Sequence, residues 1–331
     1  MLEHGGRLRA AAQQYGIPLA DWLDLSTGLA PWPFSFPAVP ASVWQRLPEA
    51  EDGLVSVATQ RYGAPQALPV AGAQAAIQLL PQLRSAGSRV GIAAPCYAEH
   101  AHAWQRAGHQ VLELRDEAIE AALDELDVLL LVNPNNPTGR VFAPAQLLAW
   151  HARLAARGGW LVVDEAFIDA TPELSLAAHS HTLGLIVLRS FGKFYGLAGV
   201  RLGFVLAEPS LLNELNERLG PWAVSGPARW VGLACLADEV AHRQQSLRLQ
   251  QASQRLVTLL ADYGLAVQGG CALFQWLHTP KAAALYEHFA QRGILLRHFS
   301  QPQSLRFGLP ATEVDWQRLR LALEDLSGSL P

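Results

Sequence analysis

The stretch VLLLVNPNNPTG, Val128–Gly139, opens on five consecutive apolar residues. A strand with one wet face alternates. A strand that is apolar throughout is covered on both faces, as in a parallel sheet packed between helices. The run ends at an Asn-Pro turn in which two prolines fix the backbone and Gly139 permits positive φ. The stretch therefore delivers a polar turn at the carboxyl end of a buried strand, where open α/β sheets bind ligands.

The same texture recurs on either side. RVGIAA (Arg89–Ala94), WLVVD (Trp160–Asp164), LIVLRS (Leu185–Ser190) and LGFVLA (Leu202–Ala207) read as further buried strands, with helix-like segments at Gln74–Arg84 and Ala145–Arg157. Val132 to Asp164 spans about one strand–helix–strand crossover. The fold class is α/β, a large domain with a mostly parallel sheet covered by helices. After Pro227 the texture changes. One long Gln/Arg/Leu-rich helical run reaches about Tyr263, followed by GLAVQGGCALFQWL, a helix near Lys281–Arg292, GILLRHF, SLRFGL and a last helix from Thr312. This reads as a smaller α+β domain. The expected division is residues 40–240 for the large domain, and 1–39 with 241–331 for the small one.

Composition narrows the classes. The chain has 331 residues, half of them apolar and 16% charged, so it can bury a large core. Its net charge of −4 comes without a basic stripe, which argues against nucleic acid or an anionic membrane as partner. No apolar run reaches the ~20 residues of a membrane span. The N-terminus has no apolar core of a signal peptide. Three widely spaced cysteines, Cys96, Cys235 and Cys271, predict no disulfide framework and a cytoplasmic location.

The chain writes its positive charge as arginine, and Lys193 and Lys281 are its lysines. Lys193 follows a strand, in SFGKFYG. A primary amine condenses with an aldehyde, and a guanidinium does not. Asp164, in DEAF, ends the preceding strand, where a carboxylate keeps an aromatic nitrogen protonated; alone, such an aspartate more often caps the next helix. Asn136 in NPNNPTG presents an amide suited to a phenolate oxygen. AGAQAA (Ala71–Ala76) opens a helix whose first N–H groups, at Ala73 and Gln74, suit an anion. Ser190 and Arg201, three before and eight after Lys193, add a hydroxyl and a guanidinium to that phosphate cup. Tyr97 is placed to stack on a flat ring or to serve as a core aromatic. Cys96, His100 and His102, like His179 and His181, lack a convincing four-ligand pattern, so no metal is expected.

Taken together, NPNNPTG, DEAF and SFGKFYGLAGVRLG resemble the fold-type I pyridoxal-phosphate enzymes of the histidinol-phosphate aminotransferase branch. EHGG (Glu3–Gly6) followed by LDLSTGLAP (Leu23–Pro31) is most similar to the cobalamin-pathway threonine-phosphate decarboxylases among them. The resemblance implies an aspartate-aminotransferase-like large domain with a seven-stranded sheet, and a homodimer. It implies pyridoxal 5'-phosphate bonded to Lys193, its ring nitrogen on Asp164, its ring oxygen on Asn136, and its phosphate on Ala73, Gln74, Ser190 and Arg201. It implies a small phosphorylated amino acid as substrate, with the carboxylate on Arg306 and the phosphate on His4 and Arg297. Without the resemblance, His4 reads as a mobile N-terminal residue.

Two positions depart from the pattern. Phe167 replaces a tyrosine that bonds the ring oxygen in transaminating relatives, a loss of about 1 kcal/mol. Leu47 replaces a tyrosine that reaches the neighbouring subunit's phosphate. The expected reaction is decarboxylation of L-threonine O-3-phosphate to (R)-1-amino-2-propanol O-2-phosphate. The competing readings are an aminotransferase for a phosphorylated amine such as histidinol phosphate, and a non-catalytic protein that binds the cofactor.

Overall fold

The computed structural model describes residues 4–327. Seven strands form its larger sheet: β1 Leu68–Val70, β2 Arg89–Ala93, β3 Gln110–Leu114, β4 Val128–Val132, β5 Trp160–Asp164, β6 Leu185–Ser190 and β7 Gly203–Leu206. Their order is β1-β7-β6-β5-β4-β2-β3, and β7 alone runs against its neighbours. The mostly parallel α/β architecture expected from the apolar runs is the one observed.

Those runs are apolar because both faces are buried. Val128, Leu130, Val162, Ile186, Leu188 and Val205 point into one core, closed by helices α1 (Ala73–Leu79), α2 (Glu99–Arg106) and α4 (Pro209–Leu219). The alternate residues Leu129, Leu131, Val163 and Val187 are equally buried. Helix α3, Pro144–Ala155, packs against β5. Pro144 starts it, and Leu147, Trp150, His151 and Leu154 form its buried stripe at helical spacing. Each buried leucine contributes about 2 kcal/mol of transfer free energy.

Two boundaries differ from the sequence expectation. The segment expected as one helix over Gln74–Arg84 is α-helical only to Leu79 and tightens into a 3-10 turn over Leu80–Leu83, where Pro81 cannot continue the hydrogen-bond ladder. The long run expected after Pro227 is two helices, α5 (Gly226–Ala237) and α6 (Glu239–Asp262). Asp238 separates them, and its carboxylate accepts from the N–H of Ala241 as a helix cap.

The chain divides into two compact units. The larger holds Phe34–Asn136 and Arg140–Gln244; the smaller holds the residues up to Pro33, Pro137–Gly139 and those from Gln245 on. The smaller unit carries an antiparallel sheet of β8 (Gly269–Cys271), β9 (Phe274–His278), β10 (Arg297–Ser300) and β11 (Gln303–Gly308), in the order β10-β11-β9-β8. Helix α7, Ala282–Ala290, packs on it, with Phe289 edge-on to Phe307 at 5.6 Å. Leu23–Asp24 pairs in parallel with Ile294–Leu295. Among the described residues, no helix is long and apolar enough to cross a membrane.

In the larger unit, His242 lies buried with its Nε2 2.5 Å from the hydroxyl of Tyr195 and its ring stacked on Phe194. Burial above all, then the cations Arg61 and Arg189, draws its pKa from 6.5 down to about 3. Between those values the unfolded chain binds a proton at this imidazole that the folded chain does not. Stability is therefore fully present above pH 6.5 and falls as pH drops toward 3, by roughly 3–5 kcal/mol across the window. Unfolding midpoints of the native protein and His242→Gln are expected to converge as pH is lowered from 7 to 4. A difference that is the same at every pH would exclude this account.

Candidate active site

In the larger unit the expected cofactor residues stand at one edge of the sheet, after the carboxyl ends of the parallel strands and, for Arg201, just before the reversed β7. Val70 is the register partner of Gly203, and Gly203 is the partner of Ser190. Three strand ends thus lie side by side, followed by the start of α1, the turn before β7 and the turn that holds Lys193. Gly72, the N-cap of α1, has φ 76° and ψ 154°, a region that only glycine enters readily. A Cβ at Gly72 would stand 2.5 Å from the Arg201 guanidinium, and one at Gly203 would stand 2.5 Å from the N of Ala73. Both glycines keep this cradle open. Arg201 itself is left-handed, with φ 57°. Gly72→Ala is expected to destabilise the fold by about 1–3 kcal/mol through backbone strain. Because the strain resides in the backbone, adding Arg201→Ala is not expected to restore the melting temperature.

Gln74 does more than offer its backbone. Its Nε2 donates to Glu99 at 2.9 Å, which fixes the amide so that its Oε1 accepts from the Tyr97 hydroxyl at 3.1 Å. Tyr97 is thereby held by its tip, and its ring stands edge-on to His100. Burial, then Glu99, pushes the Tyr97 hydroxyl up to about 12, so it remains a donor.

Asp164 is buried at the end of β5. Its Oδ1 accepts from the N–H of Ala166 at 3.0 Å, and its Oδ2 lies 2.9 Å from His100 Nε2. One oxygen thus closes a local turn at Ala166 and caps no helix, since the following 3-10 turn, Ile168–Ala170, starts from Phe167 with no side-chain cap; the other oxygen faces a histidine. His100 was weighed in the sequence only as a metal ligand. The structure assigns it to Asp164, and among the described residues no three of His, Cys, Asp and Glu gather as a metal would require. No sequence signal joins two residues 64 positions apart.

The Asn-Pro turn divides its labour. Asn133 closes it, with Oδ1 accepting from the N–H of Phe142 and Nδ2 donating to the carbonyl of Phe142. Asn135 donates to the carbonyl of Pro95. Asn136, half-buried, follows them. Lys193 sits half-buried in a short helical turn, Phe191–Phe194, with its amine 5.8 Å from the centre of the Phe167 ring. An amine, a strand-end carboxylate, an amide and an anion cradle fit pyridoxal phosphate, which carries an aldehyde, a ring nitrogen, a ring oxygen and a phosphate.

The smaller unit gathers the expected substrate residues around Ser26. The N–H of Gly6 donates to Ser26 Oγ at 2.7 Å, and a Cβ on Gly5 would stand 2.4 Å from the Ser26 carbonyl. The two glycines therefore seat the segment next to His4 directly on Ser26. Arg306, buried in β11, donates to that same carbonyl at 2.8 Å and lies over the ring of Phe274. Arg297 is the register partner of Arg306 on the adjacent strand. Burial, and to a smaller degree the Arg297 cation, draws the Arg306 pKa down to about 10. Two guanidinium groups on paired positions form a site that an anion relieves. Ser26 was not singled out from the sequence, where it is one residue of the quoted stretch LDLSTGLAP.

The family model for aminotransferase class I and II matches residues 46–323. The threonine-phosphate decarboxylase of Pseudomonas aeruginosa is 64% identical, with 98% of this chain and 97% of that protein covered. The threonine-phosphate decarboxylase of a Sinorhizobium species is 44% identical, with 97% of each covered. Among solved structures, histidinol-phosphate aminotransferase from Sinorhizobium meliloti, in complex with pyridoxal-5'-phosphate, superposes with a TM-score of 0.85 at 21% identity. That match covers all of this chain and 96% of the other, and it is a likeness of fold. With the family match spanning most of its length, the chain belongs to the class I and II aminotransferase family.

Proposed function

We propose that this protein is a pyridoxal-phosphate-dependent lyase that decarboxylates L-threonine O-3-phosphate to (R)-1-amino-2-propanol O-2-phosphate, a step of cobalamin biosynthesis. The paired arginines carry the reading. Arg306 and Arg297 stand opposite each other on β11 and β10, and a substrate with both a carboxylate and a phosphate satisfies both. The near end-to-end likeness to two threonine-phosphate decarboxylases supports the same substrate.

Pyridoxal phosphate, when bound, supplies the sink for the electron pair that is left when the Cα–carboxylate bond breaks. The protein's residues do the rest. Lys193 holds the cofactor by its amine and moves a proton to Cα. Asp164 keeps the proton on the ring nitrogen, in a buried setting where its charge is little screened. Tyr97 presents its ring, and Asn136 bonds the ring oxygen. Ala73, Gln74, Ser190 and Arg201 hold the phosphate. Arg306 binds the substrate carboxylate, while His4 and Arg297 bind its phosphate. Contacts remote from the breaking bond orient it, so that binding energy is spent on the transition state. Phe167 leaves the ring oxygen one donor short of a transaminase.

The protein works as a homodimer, which is supported by the exposed apolar side chains of Trp44, Leu47 and Trp222. Unpaired thiols at Cys96, Cys235 and Cys271 suit a reducing cytoplasm. Carbon dioxide release and keto-acid-dependent amino transfer, each measured with threonine phosphate and histidinol phosphate, test the reading. Carbon dioxide from threonine phosphate, with no transfer from either, is expected. Amino transfer from histidinol phosphate without carbon dioxide would overturn it in favour of a transaminase, and binding without turnover in favour of a non-catalytic protein.

A further inference from the structure

One residue after Asp164 and one before Ser190 lies an ionic cluster that the chemistry above does not use. Arg189 Nη2 donates to Asp169 Oδ1 at 2.6 Å, and its Nη1 reaches Glu165 Oε2 at 3.3 Å. Glu165 also accepts from the hydroxyl of Ser175 at 2.5 Å and from the N–H of Leu176 at 2.7 Å. Glu165, Arg189 and Asp169 are 0%, 3% and 7% exposed. The ring of Tyr62 lies 4.2 Å under the guanidinium.

Two carboxyl groups share one guanidinium in a buried setting. Burial works against the Arg189 cation, yet Asp169 and then Glu165 more than offset it. Burial pushes Glu165 up, and Arg189 is the strongest influence pulling it back. Tyr62 and Tyr195 also face the cluster with hydroxyls that burial holds well above their ordinary range, and Arg61 adds a positive charge. Such a cluster is weak evidence of stability, because an apolar set of the same volume often serves as well. What it can add is specificity of geometry.

Its place in the chain says which geometry. The β5–β6 ladder ends at the Asp164–Leu188 pair, with one further bond from the N–H of Glu165 to the carbonyl of Leu188. Past that bond, the Glu165–Arg189 ion pair continues the connection through side chains. Glu165 is the direct neighbour of Asp164, and Arg189 is four residues from Lys193. We propose that Glu165, Arg189 and Asp169 form a clamp that sets the placement of the Asp164 carboxylate relative to the Lys193 amine. They are positioning residues that act through their neighbours, and the inference rests on the roles given to Lys193 and Asp164 above.

The test uses the purified protein loaded with pyridoxal phosphate. Three graded variants are compared: Ser175→Ala, Glu165→Gln and Arg189→Lys. The readouts are the pH midpoint of the visible colour of the lysine-bound cofactor, and kcat against KM. The midpoint is expected to move by about half a unit in Ser175→Ala and about one unit in the other two. Turnover should fall about tenfold in the two stronger variants, with KM within about threefold. Arg229→Lys, which weakens an ion pair to Asp52 elsewhere in the unit, should lower the melting temperature and leave the midpoint in place. Variants that melt earlier but keep the native midpoint and turnover would overturn the clamp. If the stronger variants fail to fold, Ser175→Ala decides alone, since it removes only a hydroxyl. A colourless native protein would remove the reading of Lys193 and the clamp with it; a coloured native protein with unmoved variants removes the clamp alone.

Discussion

Lys193→Ala is expected to lower decarboxylation by about four orders of magnitude, the sum of a lost covalent attachment and a lost proton carrier. Lys193→Arg should be no better. A guanidinium stays protonated at any accessible pH, so it neither bonds an aldehyde carbon nor returns a proton to Cα. The substitution is expected to leave the fold in place, because alanine keeps the backbone bonds of the short turn Phe191–Phe194 and the Lys193 side chain is only half-buried. Borohydride reduction of the native protein, followed by peptide mapping, should fix the cofactor on the peptide that contains residue 193. The exposed Lys281, in the smaller unit, serves as an internal control. Label on Lys281 in the native protein, or undiminished turnover in Lys193→Ala, would sink the assignment.

How much of this was legible beforehand follows from which interactions are local. The strands were legible because burial on both faces writes a nearly continuous apolar run: β4 is apolar throughout, and β5 and β6 are apolar over their first four residues. Lys193 stood out because, Lys281 apart, the chain writes its Lys/Arg charge as arginine. Contacts between distant segments left no mark. His100 reaches Asp164 across 64 positions, and nothing near either residue signals the other. Glu165 and Arg189 were not singled out in the sequence, although they are buried against each other. The grouping of Pro137–Gly139 with the smaller unit was equally hidden. It depends on a close fit: a Cβ on Gly139 would stand 2.2 Å from Gly270, and one on Gly269 would stand 2.1 Å from Thr138. The break at Asp238 was missed because periodicity alone carries through a single capping residue.

Asp164→Asn carries the second large effect, and it separates electrostatics from shape. Asparagine keeps the volume, and its carbonyl oxygen can still accept from the N–H of Ala166, so the turn into Ala166 stays closed. What disappears is one negative charge, from a group that is 3% exposed. Solvent cannot replace it there, and on the proposed reading a cationic ring nitrogen would lose its partner. On that reading the loss would fall on the transition state, where Asp164 would stabilise the developing charge distribution, more than on the bound substrate. Turnover is therefore expected to drop about a thousandfold, with KM changed by less than about threefold. The cofactor should remain bonded to Lys193, so that borohydride still fixes it. His100→Gln tests the other side of the pair. It keeps a polar group beside Oδ2 while removing the imidazole, and about a tenfold loss of turnover is expected, since His100 orients the carboxylate without replacing its charge. If Asp164→Asn lost no more than His100→Gln, charge at position 164 would not be what sustains the reaction, and the carboxylate would be a turn cap that happens to lie near the amine.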